Sequence, residues 1–217
     1  MAVLHVSGFM NLIDVSIVNV ALPSMQAALG ASDSQIEWVV AAYILVFALG
    51  LLPFGRAGDI HGRRRVFILG VAIFTFGSAL CGLAPNMNAL IAARVLQGLG
   101  GALMTPQTLA IVPALFPPRE RGLAFSLFGL TAGLASVTGP VAGGLLIHAD
   151  ILGLGWRPIF LVNVPVGLLA IVAARRFVPD LPGVPGLRTD FVGVGIAAAA
   201  LLCLIAPLIE GRQLGWP

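Results

Sequence analysis

Apolar residues in this chain come in long unbroken runs. They do not alternate as in a half-buried strand, and they do not form the narrow stripe of a surface helix. Seven runs stand out, over residues 3–22, 36–53, 66–84, 89–112, 123–147, 158–174 and 191–209. About 20 mostly apolar residues cross the hydrocarbon core of a bilayer as a helix. The pattern therefore predicts an all-α integral membrane protein with seven spans. The first run lacks the basic start of a signal peptide and is followed by others like it, so it is read as a span. Between the sixth and seventh runs, Pro179, Pro182, Gly183, Pro185 and Gly186 mark a linker. The expected organisation is a six-helix unit over 1–177, a cytoplasmic linker over 178–190, and a seventh helix with an outer tail over 191–217.

Composition supports lipid as the main solvent. Of the 217 residues, 59% are hydrophobic and 10% charged, against about 25% charged in soluble domains. The net charge of +3 rests on arginine, for the chain has no lysine. The arginines sit at the ends of apolar runs and not along one exposed face, which argues against nucleic acid as a partner. Segment 55–65 holds Arg56, Arg63, Arg64 and Arg65; segment 113–122 holds Arg119 and Arg121; segment 175–190 holds Arg175, Arg176 and Arg188. Segment 24–35 has no Arg and carries Asp33, 85–88 is neutral, 148–157 has one Arg and one Asp, and 211–217 has one Arg. Cytoplasmic loops carry the excess of positive charge, so the second, fourth and sixth connections are expected inside, with a cytoplasmic N-terminus and an outer C-terminus. Segment 55–65 reads as a short basic loop. Cys81 and Cys203 lie within apolar runs as packing residues, not as a disulfide or a metal pair.

Two charges fall deep inside the runs, a third, Glu37, standing at the edge of the second. Asp14 lies near the middle of the first, with Asn11 on the same helical face. A carboxylate at that depth costs about 2.5–3.5 kcal/mol on insertion scales, so it marks function by default. Arg94, Gln97, Gly98 and Gly101 follow one face of the fourth run at i, i+3, i+4, i+7. At 1.5 Å per residue, Arg94 and Asp14 sit about 8 and 13 Å below the outer edge. They are expected to face a common cavity and to couple electrostatically. The bland alternative has Arg94 snorkelling to the outer interface as an anchor. Asn11, Gln97 and Asn163 are the candidates for the polar lining of a substrate cavity, although an inter-helix hydrogen bond is the plainer reading of Asn163. Gly129 and Gly133, then Ala135, Gly139 and Gly143, place small residues four apart on the fifth run, where two helix backbones can approach closely. Pro140 is expected to kink that helix. Trp156 and Arg157 are expected at the outer interface. The sequence contains no P-loop, zinc-protease or nucleophile-elbow motif, so no enzyme activity and no cofactor are expected, and an ion gradient is the natural energy source.

Several stretches together resemble the major facilitator superfamily, in its fourteen-span drug–proton antiporter branch. IDVSIVNVALP from Ile13 to Pro23 is similar to the first-helix signature. Gly55, Asp59, Gly62, Arg63 and Arg64 match the loop motif G-x-L-a-D-r-x-G-r-k. Leu90, Arg94, Gln97, Gly98 and Ala102 resemble the fourth-helix motif, and Gly139, Pro140, Gly143 and Gly144 the fifth-helix antiporter motif. PPRERG at 117–122, WRPIFLVNVPVG at 156–167, TDFVG at 189–193 and LGWP at 214–217 fit the same branch. Ala57, Ile60 and Ala135 depart from it, where leucine, a basic residue and glycine are usual. The resemblance implies two six-helix halves with the substrate at their interface. It implies proton coupling at Asp14 and Arg94, a gating lock at Gly55, Asp59, Gly62, Arg63 and Arg64, and helix packing through Gly98, Gly101, Gly139, Pro140 and Gly143. The expected function is proton-driven efflux of hydrophobic small molecules across the plasma membrane. The expected partners are the lipid bilayer, the substrate, and a C-terminal half or a second copy, because the chain covers one half plus one helix and is not expected to work alone. Export of a lipid, siderophore or antibiotic precursor, and a non-transporting scaffold, are the competing readings.

Overall fold

The computed structural model describes residues 2–184, 187 and 190–210. The described residues form eight α-helices and one short 3-10 turn, with no strand. The helices are α1 (Ala2–Leu29), α2 (Asp33–His61), α3 (Arg63–Gly82), α4 (Met87–Leu115), α5 (Pro118–His148), α6 (Pro158–Leu161), α7 (Asn163–Phe177) and α8 (Phe191–Glu210). Among the described residues seven segments are long and apolar enough to cross a membrane, α6 and α7 together making one of them, Pro158–Phe177. The calls that fall on 185, 186, 188, 189 and the tail 211–217, LGWP included, lie outside the described residues.

Local signals set the helix ends. Ser32 and Gln35 form a capping box at the start of α2: Gln35 N donates to Ser32 Oγ at 3.3 Å and Ser32 N donates to Gln35 Oε1 at 3.1 Å. Asn86 caps α4 by accepting from Ala89 N at 2.9 Å. Val162 interrupts the sixth crossing, because Pro165 has no N–H to give to the carbonyl of Leu161. Asn163 thereby becomes the first residue of α7.

The basic segment 55–65 is not a loop. α2 continues to His61 and α3 begins at Arg63, so the connection is Gly62 alone, at φ 94°. Only glycine adopts such a value at little cost. The connection between α4 and α5 is nearly as short. Arg121 reaches back and donates from Nε to Phe116 O at 3.1 Å and from Nη2 to Pro113 O at 2.9 Å, closing the free carbonyls of α4 with a cation. After α7 the chain lies as a strap over the Gly62 turn. Val184 N donates to Asp59 O at 2.7 Å, Arg64 Nη1 donates to Val178 O at 3.3 Å, and Val178 is buried.

Close glycine contacts hold α3 and α4 together. A Cβ on Gly70 would lie 2.7 Å from Met104 N and one on Gly77 2.8 Å from Gln97 N, while one on Gly100 would overlap the Phe74 backbone. With no hydrophobic drive between helices in lipid, such approaches supply the dispersion and packing that association needs. Gly98 meets Tyr43 O on α2 in the same way, at 2.6 Å. On α5 the small-residue contact is confined to Ala135, Gly139 and Gly143, which pack on Ser16 and Ile17 of α1; Gly129 and Gly133 face open space, contrary to expectation, and Pro140 is exposed. Trp156 is enclosed by protein. It is 2% exposed and packs edge-on against Phe160, with the Arg157 guanidinium 4.7 Å from its ring. The bundle surface is apolar, with Leu83, Leu169 and Val192 at 70%, 71% and 75% exposure. α8 packs chiefly on α2.

Gly100→Ala should destabilise the chain by about 1–3 kcal/mol through overpacking, whereas Gly133→Ala should be neutral or stabilising by up to about 1 kcal/mol. Thermal unfolding of the chain in lipid nanodiscs, followed by circular dichroism, separates the two.

Candidate functional site

The centre of the bundle is polar. Arg94 Nη1 lies 2.6 Å from Asp14 Oδ2, with the two side chains 1% and 0% exposed. Gln97, one turn below Arg94 on α4, accepts from Arg94 Nη1 at 2.7 Å and donates to Asp14 Oδ1 at 2.7 Å and to Ser78 Oγ at 2.7 Å. Asn163 donates to Asp14 Oδ1 at 3.2 Å and to Ser78 Oγ at 3.4 Å. Arg94 Nε donates to the Val39 carbonyl of α2 at 3.0 Å. The guanidinium rests on the Tyr43 ring at 4.2 Å and faces Phe160 at 5.9 Å. Helices α1, α2, α3, α4, α6 and α7 thus converge on one ion pair. Two desolvated charges are tolerated only when their remaining hydrogen-bonding capacity is met, and here Gln97, Asn163 and a main-chain carbonyl meet it.

This geometry differs from the shared water-filled cavity expected for Asp14 and Arg94. The pair is closed, with direct contact between the two side chains, and Asp14, Arg94, Gln97 and Asn163 are absent from the walls of the four principal cavities among the described residues. Gln97 and Asn163, expected on a substrate cavity wall, are instead bound to the carboxylate. Snorkelling of Arg94 is excluded by its burial.

A cavity of about 360 Å³ lies beside the pair, between α1, α2, α4 and α5, with Asn11, Phe47, Met104, Thr105 and Phe128 in its wall. No charged side chain lines it. Asn11 Nδ2 donates to Thr105 Oγ1 at 3.0 Å, and Tyr43 donates its hydroxyl hydrogen to Asn11 Oδ1. Gly101 leaves room for both groups: a Cβ there would come 3.1 Å from the Tyr43 hydroxyl and 3.3 Å from Asn11 Oδ1.

The loop-motif residues gather at one end of the bundle and do not reach the ion pair. Arg63 Nη2 meets Asp59 Oδ1 at 2.6 Å, with both side chains about one-third exposed. Gly55 faces Pro106, a Cβ there lying 3.5 Å from the proline ring. Gly62 forms the turn and Arg64 holds the strap. Gln107, which the sequence reading passed over, donates to Phe54 O at 2.7 Å and sits directly on Gly58. Ser78 and Tyr43 were passed over too. The faint signals were Thr75 and Ser78 three apart in an apolar run, and Tyr43 as the one tyrosine of the sequence.

The sequence matches the family described as Major Facilitator Superfamily over residues 4–209. It is 44% identical over 96% of its length to a protein of Streptomyces coelicolor named "Probable actinorhodin transporter", covering 36% of that protein. It is 38% identical over 96% of its length to multidrug resistance protein Stp of Mycobacterium tuberculosis, covering 38% of it. It is 36% identical over 94% of its length to the tetracenomycin C resistance and export protein of Streptomyces glaucescens, covering 37% of it. Among solved structures, a bacterial homologue of the human lysosomal transporter Spinster, in an inward-facing and occupied conformation, superposes with a TM-score of 0.73. That match has 24% identity and covers 84% of this chain and 44% of the other. The chain thus spans between a third and a half of the length of the relatives it matches.

Removing one member of a buried pair strands the other, at a cost of about 3–5 kcal/mol. Arg94→Leu should lower stability by that amount, and the double variant Asp14→Leu/Arg94→Leu should be less destabilised than Arg94→Leu alone. A double-mutant cycle by thermal unfolding in nanodiscs measures both.

Proposed function

Because this chain belongs to the major facilitator superfamily, we propose that it forms one half of a secondary transporter that exports hydrophobic small molecules in exchange for protons. The observation that carries the reading is the enclosed Asp14–Arg94 pair lying next to an uncharged, mostly apolar cavity. Arg94 donates to one oxygen of Asp14, and Gln97 and Asn163 donate to the other. In the proposed cycle Asp14 takes up a proton when the pair parts and releases it when the pair re-forms.

In this reading the cavity beside Asn11 is one wall of the substrate site, with the other wall from a second six-helix half or a second copy of the chain. A cavity without charge suits uncharged, apolar solutes, since a buried ion would find no counter-charge there. The export of antibiotics and drugs named for the relatives supports the same solute class. Asp59, Arg63, Arg64, Gly55 and Gly62 form the gate at the cytoplasmic end. The N-terminus faces the cytoplasm, the carrier sits in the plasma membrane, and the proton gradient supplies the energy without any cofactor.

In everted membrane vesicles carrying this segment in frame with its second half, addition of an uncharged hydrophobic drug should dissipate an imposed pH gradient. Asp14→Asn should abolish that dissipation while drug binding persists. Undiminished proton release from Asp14→Asn would remove the antiport reading.

A further inference from the structure

The cavity and the ion pair do not touch, yet a substrate antiporter needs each to sense the other. The described residues provide one short polar path between them. Thr105 and Asn11 stand in the cavity wall. Asn11 donates to Thr105 and accepts from the Tyr43 hydroxyl. The face of the Tyr43 ring carries the Arg94 guanidinium, which holds Asp14. Tyr43 is 1% exposed, and its surroundings fix it: Gly98 lies against its backbone, and Gly101 leaves just the space that its hydroxyl and Asn11 fill.

We propose that Tyr43 is the positioning residue through which occupancy of the cavity is transmitted to the Asp14–Arg94 pair, with a hydrogen-bond acceptor on an uncharged substrate as the trigger. The proposal rests on the antiport reading above and adds the route and the recognised group. Thr108 spends its hydroxyl hydrogen on Met104 O of its own helix, whereas Thr105 donates to no described residue. A substrate carbonyl in the cavity can therefore take the Thr105 hydrogen. Asn11 is the shared neighbour of Thr105 and Tyr43, so a shift of its amide moves the tyrosine hydroxyl and the ring beneath the guanidinium. A cation lying on an aromatic face depends on that ring's position. The effect is reciprocal by linkage: if occupancy weakens the pair, protonation of Asp14 changes the affinity of the cavity by the same factor.

Of the groups around the pair, α1 contributes Asp14, α2 Tyr43, α3 Cys81 and α4 Arg94, while α6 and α7 bring only Phe160 and Asn163, neither of which titrates. Asp14 is thus the one carboxyl group at this site. The titratable group near the cavity is His5, its ring 4.3 Å from that of Phe128 in the wall, and Asp14→Asn separates the two contributions to the pH dependence of binding.

The test is equilibrium dialysis of Nile red, an uncharged dye with a ring carbonyl, between nanodiscs loaded with this segment in frame with its second half and empty nanodiscs at two pH values, about 5.5 and 8. The wild-type Kd should differ about fivefold or more between them, the scale of ordinary coupling between sites. Asp14→Asn should abolish the difference, and Gly129→Phe, which fills open space in the cavity wall, should remove binding at both values. Tyr43→Phe keeps the ring on the guanidinium and loses only the hydroxyl. It should bind the dye at pH 8 within about twofold of wild type and show no pH difference beyond about twofold. Asn11→Leu cuts the same path from the cavity side. Because Asn11 lines the site its affinity is expected to change, but the ratio of its Kd values at the two pH values should be equally flat, which keeps the test open if Tyr43→Phe does not fold. A wild-type pH difference in either variant overturns the role of Tyr43 and leaves the antiport reading standing. A wild-type chain whose dye affinity ignores pH overturns both.

Discussion

The contact between Asp14 and Arg94 constrains everything around it. Neither charge could stay in the interior alone, and two bare charges would still be badly solvated there. The bundle therefore brings six helices to one point and equips them with the groups that complete the solvation: Gln97 from the same face of α4, Ser78 from α3, Asn163 from the broken start of α7, and the Val39 carbonyl from α2. Tyr43 and Phe160 close the remaining sides with aromatic faces. Bare glycines elsewhere make sense in this light. Without Gly77 and Gly98, α3 and α2 would stand too far from α4 for Ser78 and Tyr43 to reach their partners.

A protein in lipid has no hydrophobic force to push its helices together, so their association is carried by packing and polar contacts. The α3–α4 pair takes the first route through Gly70, Gly77 and Gly100. The central cluster takes the second. α5 lies along α1 from Phe128, whose ring is 4.3 Å from His5, through Ala135, Gly139 and Gly143, while the opposite face carries exposed Leu130, Leu134 and Leu145. That leaves a rigid core of α2, α3 and α4 with α1 and α5 lying beside it, and the apolar cavity sits at the seam between the two groups.

Much of this was legible in the sequence. Long apolar runs announce crossings because lipid demands them, and a charge inside a run announces itself by its cost. The spacing of Arg94 and Gln97 put both on one face, and their depth matched that of Asp14. What the sequence did not carry was distance across helices. Depth along the membrane says that two charges are level, not whether water separates them, so the expected wet gap became a direct contact. Segment 55–65 looked like a loop because arginine and glycine are common in loops, but one residue at positive φ suffices to turn the chain. Tyr43, Ser78 and Gln107 gave almost no signal, since a single hydroxyl or amide in an apolar run is ordinary until its neighbour is known.

The strap after α7 has a mechanical consequence. With Val184 bonded to Asp59 and Val178 held by Arg64, the seven residues 178–184 are fastened along the bundle. A free stretch of that length would add about 23 Å of reach. Residues 178–184 therefore travel with the α2–α3 turn and not only with the end of α7, so a tilt of that turn carries this stretch along with it.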